Sequence, residues 1–314
     1  MPRVSVLIPT YNRGELLLEA VRSVLAQTFA DLEVIVADDG STDGSVDAVL
    51  GLADPRVEVL RLTHSGRPAV ARNAALAKAG GELVALLDSD DVWFAEKLER
   101  QVEVLEHEAS VGLVCSNACV IDETGNEIKA LYFDPDEAAR RHTFSALLEA
   151  NFVVNSSAVA RRELVERVGG FSEDTRLRGV EDYDLWLRVG ALSRLAYLPV
   201  PLLAYRRHPT SVTAGVPASR YWNSVVVAVE NLDRFLDEAD PRRGALLRPR
   251  RAELLAERAR AEAVERRPTA AVRSLAGAMR LDPRAATSVL LSGHTLGRTR
   301  EAVRVALGRT SAPT

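Results

Sequence analysis

Apolar positions in the first third of the chain cluster in two alternating ways. Short, mostly apolar segments at Val4–Ile8, Leu32–Ala37 and Val57–Leu62 predict strands, and the continuous apolar run Leu83–Leu87 predicts a buried one. Between them the period lengthens to that of a helix. Leu17, Ala20, Val21, Val24 and Leu25 form one apolar stripe, and a second helix is expected from about Ser45 to Leu52. A small-residue helix runs from Pro68 to Lys78, with Gly80-Gly81 as its stop. Asn12, with Glu15 three residues on, reads as the cap of the first helix. Strands and helices alternating at this pace predict parallel βαβ units.

After Asp91 the pattern loosens. Glu96–His107 carries Leu98, Val102 and Leu105 on one helical face, Leu113–Ile121 reads as a strand, and Glu123–Asn126 as a hairpin turn into Glu127–Leu131. Asp134–Arg141 is polar and reads as loop or short helix. Short helices are expected near Phe144–Glu149, Arg162–Val168 and Asp182–Val189, with two final strands at Leu195–Leu198 and Leu202–Arg206. From Ser219 onward only helical periodicity remains, at Tyr221–Leu236, Arg250–Glu265, Thr269–Arg280 and Ala285–Leu307. The segment from Ala261 to Pro283 is similar to a single tetratricopeptide-like helix pair, and one copy lacks the stacking neighbours such repeats need. The expected architecture is α/β, a Rossmann-like, mostly parallel sheet flanked by helices, followed by an all-helical appendage. Domain limits are expected at 1–218, with 1–91 and 92–218 as its halves, and at 219–314.

Composition narrows the class. The 314 residues carry 40 basic and 44 acidic side chains, a formal net charge of -4, and 47% hydrophobic content. A large core is within reach, and nucleic-acid binding through bulk charge is disfavoured. The longest apolar runs, such as Val225–Val229, fall far short of the roughly 20 residues of a membrane span. The N-terminus enters a strand directly, without a signal-peptide pattern, so a cytoplasmic location is expected. Cys115 and Cys119 would share a strand face about 13 Å apart, too far for a disulfide, and read as buried free thiols.

The most informative chemistry sits where Leu83–Leu87 ends in Asp88-Ser89-Asp90-Asp91. Open α/β sheets bind ligands beyond the carboxyl ends of their strands. Three carboxylates there repel one another, and a hard cation with a phosphorylated ligand would explain them. The run Asp38-Asp39-Gly40-Ser41-Thr42-Asp43 ends the preceding strand with a turn cluster. Neither a Gly-x-Gly-x-x-Gly loop nor a Gly-x4-Gly-Lys-Ser/Thr loop opens the first helix, which excludes the usual dinucleotide and P-loop phosphate cradles.

Together these segments resemble family 2 glycosyltransferases, whose fold is of the GT-A type. Val4–Arg13 resembles the family's opening strand, Ile35–Asp43 its second signature, Gly66–Asn73 its third, and Asp88-Ser89-Asp90 its acid-x-acid metal motif. Glu181–Arg188 is similar to the acidic segment that supplies the catalytic base, and Tyr205-Arg206-Arg207-His208 to a late motif near the donor phosphates. The match covers about two thirds of the chain and leaves the helical tail outside. The processive signature Gln-x-x-Arg-Trp is absent, which favours single additions.

The resemblance implies roles. Asp39 would accept the imino N–H of uracil or thymine, with Pro9 and Tyr11 flanking the base and Asp38 shaping the turn. Arg67 and Arg72 would pair with phosphate or fix the Asp39 region, although a solvated arginine is an equal alternative for Arg67. Asp88 would face the ribose, and Asp90 would hold Mg or Mn at the diphosphate. Asp91 has helix capping as its stronger alternative. His208 is a metal-ligand candidate, and Arg206 or Arg207 a phosphate holder. Asp182 would be the base of an inverting displacement, with Glu181 orienting the acceptor or a loop. The competing explanation for this pair is that acids suit a helix's first turn. Trp93, Asn155 and Trp186 would line the acceptor cleft, with a core position as the alternative for Trp186.

The implied activity is transfer from a UDP- or dTDP-sugar to a glycan or lipid-linked acceptor hydroxyl. The enzyme would sit in the cytoplasm or peripherally at the inner face of the membrane. The helical tail would mediate self-association or docking to a membrane or partner. The alternative is a non-catalytic nucleotide-sugar-binding scaffold with a helical interaction tail.

Overall fold

A computed structural model describes residues 1–134, 143–208 and 216–291. The chain divides into two compact units, one built from Met1–Glu173 and Arg188–Arg207, the other from Asp174–Leu187 and His208–Thr314. The expected loop or helix over Asp134–Arg141 lies outside the described residues from 135 on, as does the last expected helix beyond 291.

The first unit is organised by one mixed sheet. Its strands are β1 (Val4–Thr10), β2 (Leu32–Asp38), β3 (Val57–Arg61), β4 (Leu83–Leu86), β5 (Val92–Trp93), β6 (Val111–Ile121), β7 (Glu127–Lys129), β8 (Val159–Arg161) and β9 (Arg194–Arg206). They lie in the order β3-β2-β1-β4-β8-β6-β9-β5, with β7 paired to β6. From β3 to β4 every pairing is parallel. β1 is buried along its whole length, because it has a neighbour on each side and helices over both faces. The chain moves outward from β1 through β2 to β3, then returns to the other side of β1 as β4. That reversal is a topological switch point, and sheets of this kind take their ligands beyond the carboxyl ends of the strands there.

Beyond β4 the sheet is mixed. β8 runs antiparallel to both β4 and β6, while β6 and β9 are parallel. β8 has three residues and β5 two, too few to show a period in sequence. β9 is one strand where two were expected. Its pairing with β6 shifts register between Ser116↔Leu198 and Asn117↔Pro201, so the irregularity absorbs Pro199 and Pro201 without ending the strand.

The helices of this unit are α1 (Glu15–Leu25), α2 (Ser45–Leu50), α3 (Pro68–Leu76), α4 (Lys97–His107), α5 (Phe144–Glu149) and α6 (Arg162–Arg167). Asn12 does not cap α1. Its backbone is left-handed at φ 48°, and its side chain accepts Thr42 N–H at 2.8 Å. The helix starts after Gly14, whose N–H donates to Asp43 Oδ2 at 2.8 Å, so the turn after β2 supplies the cap. Gly81 does not stop α3, which ends at Leu76. A Cβ at Gly81 would stand 2.7 Å from Ser5 N, so the glycine permits a close backbone approach.

Lys97 is fully buried, its Nζ donating to Gln101 Oε1 at 2.7 Å and lying 3.9 Å from the Trp93 ring centroid. Burial holds its ammonium well below lysine's ordinary range. The unfolded chain therefore binds more protons between that lowered value and 10.5, and stability rises with pH across the window. Lys97→Met is expected to keep or raise stability, by up to about 3 kcal/mol, and to flatten this rise. Urea denaturation at neutral and mildly alkaline pH measures both; a loss of stability with the slope intact contradicts the assignment.

In the second unit lie the start of α7 (Glu181–Leu192), up to Leu187, and then α8 (Ala218–Phe235), α9 (Arg248–Val264), α10 (Pro268–Leu281) and α11 (Pro283–Leu291). α9 packs against α8, α10 and α11. Small side chains, Ala256, Ala278 and Ala286, form the buried contact with Leu255 and Val289 beside them. Asn231 of α8 donates to the fully buried Asp184 of α7 at 2.7 Å, which satisfies one oxygen of an otherwise costly acid.

Candidate active site

Most of the expected nucleotide residues lie at or just beyond the carboxyl ends of β1, β2 and β4. Asp38 is buried and accepts Ser41 N–H at 2.9 Å, which closes the turn after β2. Asp39 is also buried, with its carboxylate turned to the segment after β3. One oxygen accepts Ser65 N–H and the other Gly66 N–H, both at 2.8 Å. Gly66 sits at φ 67°, a conformation that glycine adopts without a Cβ penalty. His64 Nδ1 lies 2.8 Å from Asp39 O and 3.2 Å from Oδ2. Its ring stacks on Tyr11, with centroids 4.2 Å apart and planes at 26°. Tyr11 is exposed and Pro9, in β1, is buried. Sequence reasoning passed over His64, because a lone histidine before a turn carries no pattern.

A second cluster surrounds the end of β4. Asp88 Oδ1 accepts both Arg72 Nη2 and Asn155 Nδ2 at 2.8 Å, and its N–H donates to Ser156 Oγ at 2.9 Å. Arg72 is nearly buried against the Phe171 ring. Asn155 therefore orients Asp88. Arg67 turns away to Glu173, donating to its carbonyl at 3.1 Å. Asp90 keeps part of its side chain in solvent, faces Arg13 Nη2 at 3.5 Å, and offers its carbonyl to Arg206 Nε at 2.8 Å.

Several expectations are corrected here. Asp91 does not cap α4, which begins at Lys97. It is buried at 1% exposure, accepting Ser156 Oγ at 2.5 Å and Arg206 N–H at 2.8 Å. Burial, with Asp90 and Asp88 beside it, pushes its carboxyl well above the usual range. Arg206 is no exposed phosphate or acceptor holder. Its guanidinium is buried and donates to Glu19 Oε2 at 2.6 Å. Trp93 does not line a cleft. It is 3% exposed, and its indole donates to Ser156 O at 2.8 Å. Trp186 is 1% exposed and takes the core position. Ser156 links Asp88, Asp91 and Trp93, and no local signal marked it.

Glu181 and Asp182 open α7 in the second unit, with Glu181 buried and Asp182 half-buried, accepting Tyr183 N–H at 2.7 Å. His208 follows β9 and also belongs to the second unit. Among the described residues no group of three or more His, Cys, Asp and Glu side chains forms a metal cage. Mg or Mn sites commonly take one or two carboxylates and complete their shell with substrate phosphates. A solvent-reached Asp90 fits that kind of site.

A parallel half-sheet with a reversal at β1, continued by a mixed half and flanked by helices, is a fold of GT-A type. The chain belongs to glycosyl transferase family 2, whose family model matches residues 5–169. It is a glycosyltransferase, of a family that uses nucleotide-sugar donors. The UDP-Glc:alpha-D-GlcNAc-diphosphoundecaprenol beta-1,3-glucosyltransferase WfgD of Escherichia coli is 30% identical over 73% of this chain and 87% of its own. A Nostoc glycosyltransferase at 36% identity is matched over 53% of each chain, so only about half its length is spanned. In fold the chain resembles Staphylococcus aureus TarS 1–349 in complex with UDP-GlcNAc, with TM-score 0.70 and 21% identity over 98% of this chain and 89% of that one. It also resembles the mannosyltransferase PcManGT of Pyrobaculum calidifontis in complex with GDP-Man and Mn2+, with TM-score 0.64 and 25% identity over 97% and 86%. Among the described residues no helix is long and apolar enough to cross a membrane.

Proposed function

We propose that the chain is an inverting, metal-dependent transferase that moves a sugar from a UDP- or dTDP-sugar to a hydroxyl of a glycan or lipid-linked acceptor. The observation that carries this reading is the gathering of Asp39, the Tyr11–His64 ring pair, Asp88 and Asp90 at the ends of three adjoining parallel strands. Asp39 accepts the imino N–H of the base, Pro9 and Tyr11 flank it, and Asp88, held by Arg72 and Asn155, faces the ribose. Asp90 would hold Mg or Mn, which when bound would offset charge on the departing diphosphate. The UDP-GlcNAc named with TarS and the UDP-Glc in the name of the Escherichia coli relative support a uridine nucleotide, and the Mn2+ named with the mannosyltransferase supports a metal. The diphosphoundecaprenol acceptor in the name of the Escherichia coli relative supports a lipid-linked acceptor and peripheral placement at the membrane.

Asp182 takes the proton from the acceptor hydroxyl as its oxygen bonds to the sugar carbon and the bond to the diphosphate breaks. Glu181 orients the acceptor or the loop before α7. Residues 1–218 serve as the transferase domain, with its nucleotide half at 1–91 and its acceptor half at 92–218, and 219–314 as a C-terminal helical region.

UDP or dTDP together with Mn2+ is expected to raise the Tm more than either alone. At about a hundred-fold excess over Kd the gain is about 2.7 kcal/mol, or roughly 4 °C for a chain of this size. A flat response across nucleotides, with and without the metal, refutes the donor assignment.

A further inference from the structure

The chain's charge is divided unevenly. Residues 241–314 hold 16 arginines against 6 acids, a net charge of +10, while residues 1–240 carry -14. Ion pairing divides those arginines again. Arg242 pairs with Asp240, Arg243 and Arg251 with Asp233, Arg250 with Glu253, Arg258 with Glu262, and Arg260 with Glu257. Arg266, Arg267, Arg273, Arg280 and Arg284 are different. All five are exposed, and among the described residues none meets a carboxylate in an ion pair. Between 266 and 291 the one acid is Asp282, and it is committed to the start of α11, accepting Arg284 N–H and Ala285 N–H at 3.0 Å.

Two of these cations, Arg273 and Arg280, share the outer face of α10 with apolar side chains. α10 turns Ser274 and Ala278 inward and exposes Val272, Arg273, Ala276, Met279 and Arg280, which recur at helical spacing on one face. Val272 is 67% exposed, and Leu290 and Leu291 add 42% and 80% on α11. Folding gains nothing from placing valine, methionine and leucine in water beside unpaired arginines. A helix face mixing basic and apolar groups without acids suits the boundary of an anionic bilayer, where arginines meet headgroups and apolar side chains enter the interface.

We propose that the α10–α11 face docks the enzyme on an anionic lipid surface. A second copy would present the same positive face and be repelled, so the charge favours lipid over self-association. The proposal deepens the lipid-linked acceptor reading but rests on this face alone. Docking can fail while transfer to a water-soluble acceptor persists, and the reverse.

The test is co-sedimentation of the full chain with vesicles of phosphatidylcholine alone or mixed with phosphatidylglycerol. Binding is expected with phosphatidylglycerol, weakening as salt rises, and not with phosphatidylcholine alone. Arg273→Gln with Arg280→Gln is expected to weaken it roughly 30-fold, from the usual contribution of each arginine near such a surface. Arg61→Gln with Arg100→Gln, which removes as many charges from the first unit, is expected to leave it unchanged. If the α10 pair fails to fold, Arg266→Gln with Arg284→Gln carries the same expectation. Equal binding to both vesicles, wild-type affinity in the α10 pair, or a wild-type dimer that this pair dissociates would overturn the proposal, the last by making the occupant a second copy.

Discussion

Asp182→Asn is expected to bind donor as the wild type does and to lose transfer by about 10²–10⁴-fold, the range a positioned general base supplies. The substitution keeps shape and one acceptor oxygen, so the 2.7 Å contact with Tyr183 N–H can survive and the fold with it. An amide cannot take the hydroxyl proton. The competing account, in which the acids at the start of α7 only complement the helix dipole, makes the opposite forecast: a stability loss of about 0.3–1 kcal/mol with turnover retained. Single-turnover transfer, nucleotide-induced thermal shift and urea denaturation on one preparation separate the two. Retained turnover would remove Asp182 as the base.

Asp39→Ala is expected to fail twice. Its carboxylate accepts Ser65 N–H and Gly66 N–H, so the truncation leaves two part-buried donors unsatisfied, at about 1–3 kcal/mol each. The His64 segment loses its anchor, and the ring pair with Tyr11 loses its fixed geometry. Uridine nucleotides should then bind weakly even well below the new Tm. Asp39→Asn distinguishes base reading from loop anchoring. An amide can donate where the carboxylate only accepts, so the preference should move from UDP toward CDP, by at least roughly ten-fold. Isothermal titration with both nucleotides reads the ratio. If both variants keep UDP affinity, Asp39 is a turn residue and the base is read elsewhere.

Much of the first unit was legible because its code is local. Val4–Ile8 and Leu32–Ala37 are short, mostly apolar and bounded by turn residues, the pattern of a strand buried on both faces. The positions of Asp39 and Asp88 were legible for a related reason: both lie just past such a run, at the carboxyl end of a strand. Arg206 and Trp93 misled because their types suit a ligand site, while their neighbours, Glu19 and Ser156, lie far away in sequence. Asp91 misled because an acid shortly before a helix suggests a cap, whereas α4 begins only at Lys97 and the buried partners of Asp91 come from residues 156 and 206.

The division follows from the range of the forces involved. Periodicity, turn chemistry and the order of motifs are properties of neighbouring residues, and they determined the βαβ frame, the helical tail and the positions of the acids. The fold alone decided which acids stay in solvent and which are buried. Asp90 keeps part of its surface, whereas Asp91, next to it, is enclosed by Ser156 and Arg206. The fold also decided that Asn155 and Arg72 meet on Asp88, and that His64 stacks on Tyr11. Each such pairing depends on strands that come together only when the sheet closes, and no local preference records a partner that distant.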